Sequence, residues 1–316
     1  MRQKFLKPEF FLQLFGIIIP SLIYFQSVCS YDNTICRIFI ENAAYAMLFF
    51  FLFGFVALSI KKPYLMLFSW IYTIMLCQFL KDSSDGSFYY TKIQNYDNCI
   101  RVANFKFDEA ANDETMLNKI KELNIDLISL SLNKEITTVF KMKLTSDYPY
   151  SVDLGLSKNG THNFLYSKFD VKFVRNHQYK QIPCASGQII LDSIEGKKIR
   201  FLSFLIDEKI SKNPDHLNNS LVSISNLKTQ VKNNEPLIVF GEVSANAWEK
   251  ELRNFRTKMH VSDSRLDLDL EKSGKHIFFS QQMRCVHFRS FENGVIGTYE
   301  LRKPKMSNDD MVISAR

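Results

Sequence analysis

Three uninterrupted apolar runs open the chain, at residues 10–31, 43–60 and 63–80, and none contains Asp, Glu, Lys or Arg. A bilayer core roughly 30 Å thick needs about 20 apolar residues of helix, so each run predicts a membrane span. Only Lys61 and Lys62 separate the second run from the third, which predicts a hairpin whose tip keeps its ammonium groups hydrated at the headgroups. Beyond residue 98 the pattern breaks into short segments. Strand patterns fall at 100–105, 125–132, 136–142, 163–167, 188–191, 199–206, 236–241, 276–280, 285–290 and 295–301. Helical spacing falls at 113–123, 217–231 and 247–258. Strands interleaved with helices predict an α/β sandwich. The resulting division is a three-helix anchor (1–80), a polar linker (81–98), one α/β domain (99–302) and a flexible tail (303–316).

Charge sets the orientation. Arg2, Lys4, Lys7, Lys61 and Lys62 lie on one side of the predicted spans, against the single acid Glu9. The positive-inside rule puts that side, and the amino terminus, in the cytoplasm. Three crossings then place the domain on the periplasmic or extracytoplasmic side of the cytoplasmic membrane. A cleaved signal peptide is disfavoured, because no small-x-small site follows the first run. Net charge is +7, of which +3 belongs to residues 1–80 (6 basic, 3 acidic), leaving +4 from 34 basic and 30 acidic residues in the domain. That balance does not indicate a nucleic-acid partner. Among six cysteines, Cys29 and Cys36 could pair in an oxidising compartment, and the rest read as small buried apolar groups. No CxxC, HExxH or HxH pair occurs, so a familiar zinc site is not supported.

Several segments, in order, resemble the endonuclease/exonuclease/phosphatase superfamily. They are IRVANFKF at 100–107, NIDLISLSL at 124–132, NFLYSKFDV at 163–171, IRFLSFLI at 199–206, PLIVFGEVSANAWEKELRNF at 236–255, KHIFFS at 275–280 and VIGTYEL at 295–301. The resemblance implies a two-sheet α/β sandwich and metal-dependent phosphoester hydrolysis, with Mg2+ or Mn2+ held by carboxylates and a histidine–aspartate pair activating water. Residue by residue, Asn104 matches the family's first asparagine. Leu132 stands at the metal-binding glutamate, Phe204 at the histidine, Glu242 and Ser244 at the aspartate and asparagine of the glycine-led loop, and Lys275 at the late aspartate. Tyr299 and Glu300 stand at the terminal aspartate and histidine.

A hard dication needs several oxygen ligands. Leucine offers none, and an ammonium at Lys275 repels the ion. These positions therefore read as a vestigial site with no cofactor, and the domain as a non-catalytic interaction or assembly module for a membrane protein complex. Two alternatives stand beside this. One is an active divalent-metal phosphodiesterase or phosphatase, with ligands drawn from Asp108, Glu109, Asp126, Asp153 and Asp207. The other is a binding domain for a phosphate-containing lipid or glycan, in which Lys275 supplies the charge. Glu242 reads as an acidic loop residue more than as a ligand. His276 and His287 read as structural histidines, and Trp248 as a helix anchor.

Overall fold

The computed structural model describes residues 42–84, 93–107, 113–132, 138–157, 160–179, 182–192, 196–227, 235–246, 249–264, 274–291 and 293–302. The chain divides into two compact units, one of Met1–Ser87 with Ala245–Asn254 and Asp267–Lys272, the other of Phe88–Ser244 with Phe255–Leu266 and Ser273–Arg316.

In the first unit, helices α1 (Ala43–Ser59) and α2 (Pro63–Ser84) form a hairpin. Their shared face buries Ala43, Ala44, Phe50, Leu76 and Leu80. Gly54 is required here, since a Cβ would overlap the Trp70 indole. The opposite faces leave Phe49, Leu52, Phe55, Leu67 and Ile74 exposed. Among the described residues one helix is long and apolar enough to cross a membrane, Pro63–Lys81, while Ala43–Ser59 is a shorter apolar helix. This corrects the expectation of three full-length spans; the first expected span, at 10–31, lies outside the described residues, as do Cys29 and Cys36. Helix α2 also runs four residues past the expected boundary at residue 80.

The second unit contains two six-stranded mixed sheets. The first sheet has the order β11-β12-β1-β2-β4-β3 and the second β5-β6-β7-β8-β10-β9. The strands of the first are β1 (Cys99–Phe107), β2 (Leu127–Leu132), β3 (Tyr150–Leu156), β4 (His162–Ser167), β11 (Met283–Phe291) and β12 (Gly294–Leu301). Those of the second are β5 (Asp170–Tyr179), β6 (Ile182–Asp192), β7 (Lys197–Leu205), β8 (Leu237–Glu242), β9 (Val261–Asp263) and β10 (Lys275–Ser280). Each sheet has one parallel pair at its centre, β1 with β2 and β7 with β8. Each parallel pair is joined through helices: α3 (Asp113–Glu122) for the first, α5 (Glu208–Ser211) and α6 (Pro214–Ser225) for the second. The start of α6 follows from its sequence: the Asn213 side chain accepts from the backbone N–H groups of Asp215 and His216, with Pro214 in the first turn.

Strand alternation separates two cores. Ile100 and Val102 of β1, Leu127 of β2, Ile199 and Phe201 of β7, Ile238 and Phe240 of β8 and Ile277 of β10 meet between the sheets. Ala103, Phe105 and Phe107, with Ile128, Leu130 and Leu132, face the other way, onto Leu117 and Ile120 of α3 and Phe140 and Leu144 of α4 (Thr138–Asp147). The last helix, α7 (Lys250–Met259), follows β8.

Of the expected strand at 136–142, residues 138–142 are helical, as part of α4, and 136–137 lie outside the described residues. Its β-branched residues favour a strand locally, but Phe140, Leu144 and Tyr148 recur every four residues and cover the outer face of the first sheet. Tertiary burial overrides a weak propensity. Strands β3 and β5, absent from the sequence reading, are sheet edges whose mostly exposed or half-buried residues give little apolar signal.

Candidate functional site

Every central strand changes character along its inward face, and all change at the same end of the sandwich. Strand β1 runs Ile100, Val102, Asn104, Lys106; β2 runs Leu127, Ser129, Ser131; β7 runs Ile199, Phe201, Ser203; β8 runs Ile238, Phe240, Glu242. Antiparallel β10 starts at that end with Lys275 and continues into Ile277. The apolar core thus gives way to a polar cluster at the carboxyl ends of the four central parallel strands, where α/β folds commonly place their sites.

Four of these side chains close a ring between the sheets. Lys275 and Glu242 are cross-strand neighbours in the second sheet, and Lys106 and Ser131 in the first. The Lys275 ammonium donates to Glu242 Oε2 at 2.5 Å and to Ser131 Oγ at 2.7 Å. Lys106 Nζ lies 3.4 Å from Glu242 Oε1. Lys275 and Glu242 are largely buried, with side chains 5% and 12% exposed, whereas Lys106 reaches solvent at 41%. Burial by itself pushes the Glu242 carboxyl up. The Lys275 ammonium, Lys106 and the Ser131 hydroxyl outweigh it and hold the group below the usual carboxylate range. The ring carries two cations and one anion, so its formal charge is +1.

Beneath the ring, further polar bonds join the sheets. Asn104 Nδ2 donates to the carbonyls of Gly241 (3.1 Å) and His276 (3.0 Å), so its amide hydrogens are engaged by the facing backbone. Asn163 Nδ2 donates to Ser203 Oγ at 3.0 Å, and Ser129 Oγ donates to Asn163 Oδ1 at 3.4 Å.

The structure brings together Asn104, Glu242 and Lys275, and adds Lys106 and Ser131, which the sequence reading missed. The other expected positions do not join the ring. Leu132 turns away from the cluster into the helix-covered core, and its inward neighbour is Ser131. Phe204 likewise faces outward, edge-on to Phe255 at 5.5 Å, while Ser203 faces inward. Ser244 lies in the loop after β8, near Gly274. Tyr299 and Glu300 pair with Ile100 and Cys99, whereas Asn104 pairs with Val295, so both lie at the opposite end of β1. There Tyr299 OH shares a 2.6 Å hydrogen bond with Ser264 Oγ, and Glu300 accepts from Arg284 and from the backbone N–H of Asn95. Their assignment beside the cluster was a register error of about one strand length. Glu242 is not a loop residue either; it ends β8 inside the ring.

His276, read from the sequence as a structural histidine, is paired with an aspartate. His276 Nδ1 lies 2.9 Å from Asp263 Oδ2, but both side chains are 0% exposed and the imidazole stacks on Phe278. Full burial keeps this pair from solvent and from any substrate. His287, by contrast, is exposed.

The acidic residues of the metal-enzyme alternative have local duties. Asp126 pairs with Lys168 and accepts the Arg101 N–H, Asp153 accepts the Gly155 N–H, and Asp207 caps α5. Asp108, Glu109 and Trp248 lie outside the described residues. Among the described residues no group of three His, Cys, Asp or Glu side chains is placed to hold a metal ion.

No protein-family model matches the chain, and no curated protein matches it. Solved structures do. An endonuclease/exonuclease/phosphatase from Beutenbergia cavernae superposes with a TM-score of 0.51 at 10% identity, over 66% of this chain and 73% of that one. One from Bacteroides vulgatus gives 0.52 at 12% identity, over 65% and 99%. The two-sheet α/β sandwich of this chain is therefore the endonuclease/exonuclease/phosphatase fold. At such identities the likeness establishes the fold, and function has to be argued from the site.

Proposed function

We propose that this chain is a membrane-tethered, non-hydrolysing protein with an endonuclease/exonuclease/phosphatase fold, whose sandwich serves as an interaction or assembly module on the outer side of the cytoplasmic membrane. The observation that carries the reading is the position of Lys275. Its ammonium sits between Ser131 and Glu242 at the polar end of the sandwich, making it a covalently attached cation with its carboxylate already paired. A dication entering the ring would meet two ammonium groups and one carboxylate, a donor set unlike the several oxygens that Mg2+ or Mn2+ requires. The same pairing argues against free phosphate at Lys275, because its charge is matched by Glu242 at 2.5 Å.

Tethering rests on α1 and α2. Their outward faces leave Phe49, Leu52, Phe55, Leu67 and Ile74 exposed, and contiguous exposed apolar surface marks membrane or partner contacts. At about 1.5 Å per residue, the 19 residues of Pro63–Lys81 reach about 28 Å, close to the hydrocarbon thickness.

The test uses the full chain, purified in mild detergent from native membranes. With millimolar Mg2+ or Mn2+ and an aryl phosphodiester, the expected result is no turnover above blank, together with a stoichiometric co-purifying membrane protein. Turnover abolished by a chelator would overturn the reading in favour of a metal-dependent enzyme. Magnesium-independent phosphate binding lost in Lys275→Ala would overturn it in favour of a phosphate-binding domain.

A further inference from the structure

The second sheet has a cavity on the face turned away from the inter-sheet core. It encloses about 340 Å3, within the range of small-molecule sites. Its floor is a patch of β6 and β7 in which Gln188 pairs with Arg200 and Ser186 with Leu202, all on one face. Leu227, just past α6, and Met259, at the end of α7, line its apolar side. Arg175 stands opposite Ser186 on edge strand β5 and also lines the cavity.

Three features distinguish this hollow from an ordinary packing defect. First, its charge is unbalanced. Arg200 is paired with Glu235, whereas Arg175 forms no ion pair among the described residues, which leaves one exposed guanidinium at the rim. Second, the Gln188 carboxamide on the floor has no hydrogen-bond partner among the described residues. Third, Phe173 is 71% exposed and held at φ +54° in the bulge of β5 between Lys172 and Arg175. A large aromatic residue gains nothing by standing in water, and left-handed backbone is unfavourable for any residue with a Cβ. Strained backbone that presents an exposed ring at a cavity mouth is characteristic of binding sites.

We infer that this cavity, lined by Phe173, Arg175, Gln188 and Leu202, binds a small aromatic anion: a planar apolar body with one carboxylate or phosphate. The body lies against Leu202 and Met259 under the Phe173 ring. The anionic head meets the Arg175 guanidinium, which suits a planar or tetrahedral oxyanion bidentately. The Gln188 amide offers a further donor. This site lies across the sheet from the Lys275 ring and does not depend on what that ring does.

Calorimetric titration of the full chain with 2-naphthoate, 2-naphthyl phosphate and neutral 2-naphthol tests the inference. Both anions are expected to bind saturably, with 2-naphthol at least ten-fold weaker. Arg175→Ala should weaken the anions at least ten-fold and leave 2-naphthol unchanged. Phe173→Gly, which also relieves the backbone, should weaken all three without lowering the unfolding temperature. Binding of the phosphate alone would support the site and identify its ligand as a phosphate monoester, and binding of the carboxylate alone would identify a carboxylate. Absence of saturable binding by either anion, or unchanged anion affinity in Arg175→Ala, would overturn it.

Discussion

Replacing Lys275 with methionine gives the sharpest test of how the polar ring is held. The substitution keeps the stem volume and removes the charge. Glu242 then keeps only Lys106, 3.4 Å away and 41% exposed, and Ser131 loses its ammonium donor. Removing one partner of a buried pair costs about 3–5 kcal/mol, because the remaining charge stays desolvated. For a domain of this size each kcal/mol lowers the unfolding temperature by about 2–4 °C, so the drop should be about 6–20 °C. The pH dependence has a definite sign. In the native protein the Glu242 carboxyl is held low, so its contribution is present above the ordinary carboxylate value and is lost as pH falls through the lowered one. Without Lys275, burial dominates and the carboxyl moves up. The deficit of Lys275→Met relative to the native protein should therefore be largest near neutrality and shrink as pH approaches about 4.3. Adding Glu242→Gln removes the stranded charge and should recover at least half of the loss. Thermal unfolding followed by circular dichroism at several pH values measures all three quantities. An unfolding temperature unchanged in Lys275→Met, or a double variant no better than the single one, would refute the reasoning.

Other expectations follow from single contacts. Asn104→Ala strips two carbonyls of the facing sheet of a donor and should cost about 1–3 kcal/mol by chemical denaturation. Gly241→Ala places a methyl 2.9 Å from the rings of both Phe204 and Phe278 and should cost about 1–3 kcal/mol by overpacking, measured in the same way. Burial pushes the Cys184 thiol up to about 12, so it should resist maleimide at pH 8 until the domain unfolds, as read by mass spectrometry. Gly54→Val drives a side chain into the Trp70 indole and should separate α1 from α2, seen as a shift in tryptophan emission and faster proteolysis.

How much was legible in advance differs by feature. The long apolar runs at 43–60 and 63–80 need no partner to declare themselves, because a helix that is apolar all round has few environments open to it. The central strands β1, β2, β7, β8 and β10 announced themselves in the same way, since residues buried on both faces come from a nearly continuous apolar sequence. Even the polar ends of those strands can be read in the alternation Ile100, Val102, Asn104, Lys106 or Ile238, Phe240, Glu242. What one strand cannot reveal is which of two alternating rows faces the partner sheet. A shift of one residue exchanges the faces. The family match set Leu132 and Phe204 in the expected site, one residue away from Ser131 and Ser203, which face the partner sheet.

The sequence by itself thus determined the apolar hairpin, the order of the central strands and helices, and the resemblance to a known fold, since each depends on local periodicity and chain order. Tertiary structure alone decided that 138–147 is helical, that Tyr299 and Glu300 lie far from Asn104, and that Lys275, Glu242, Ser131 and Lys106 form one ring. Those outcomes depend on strand register and on two sheets facing each other. Within the ring, Lys275 and Ser131 lie 144 positions apart in the chain, a separation over which no local pattern carries information.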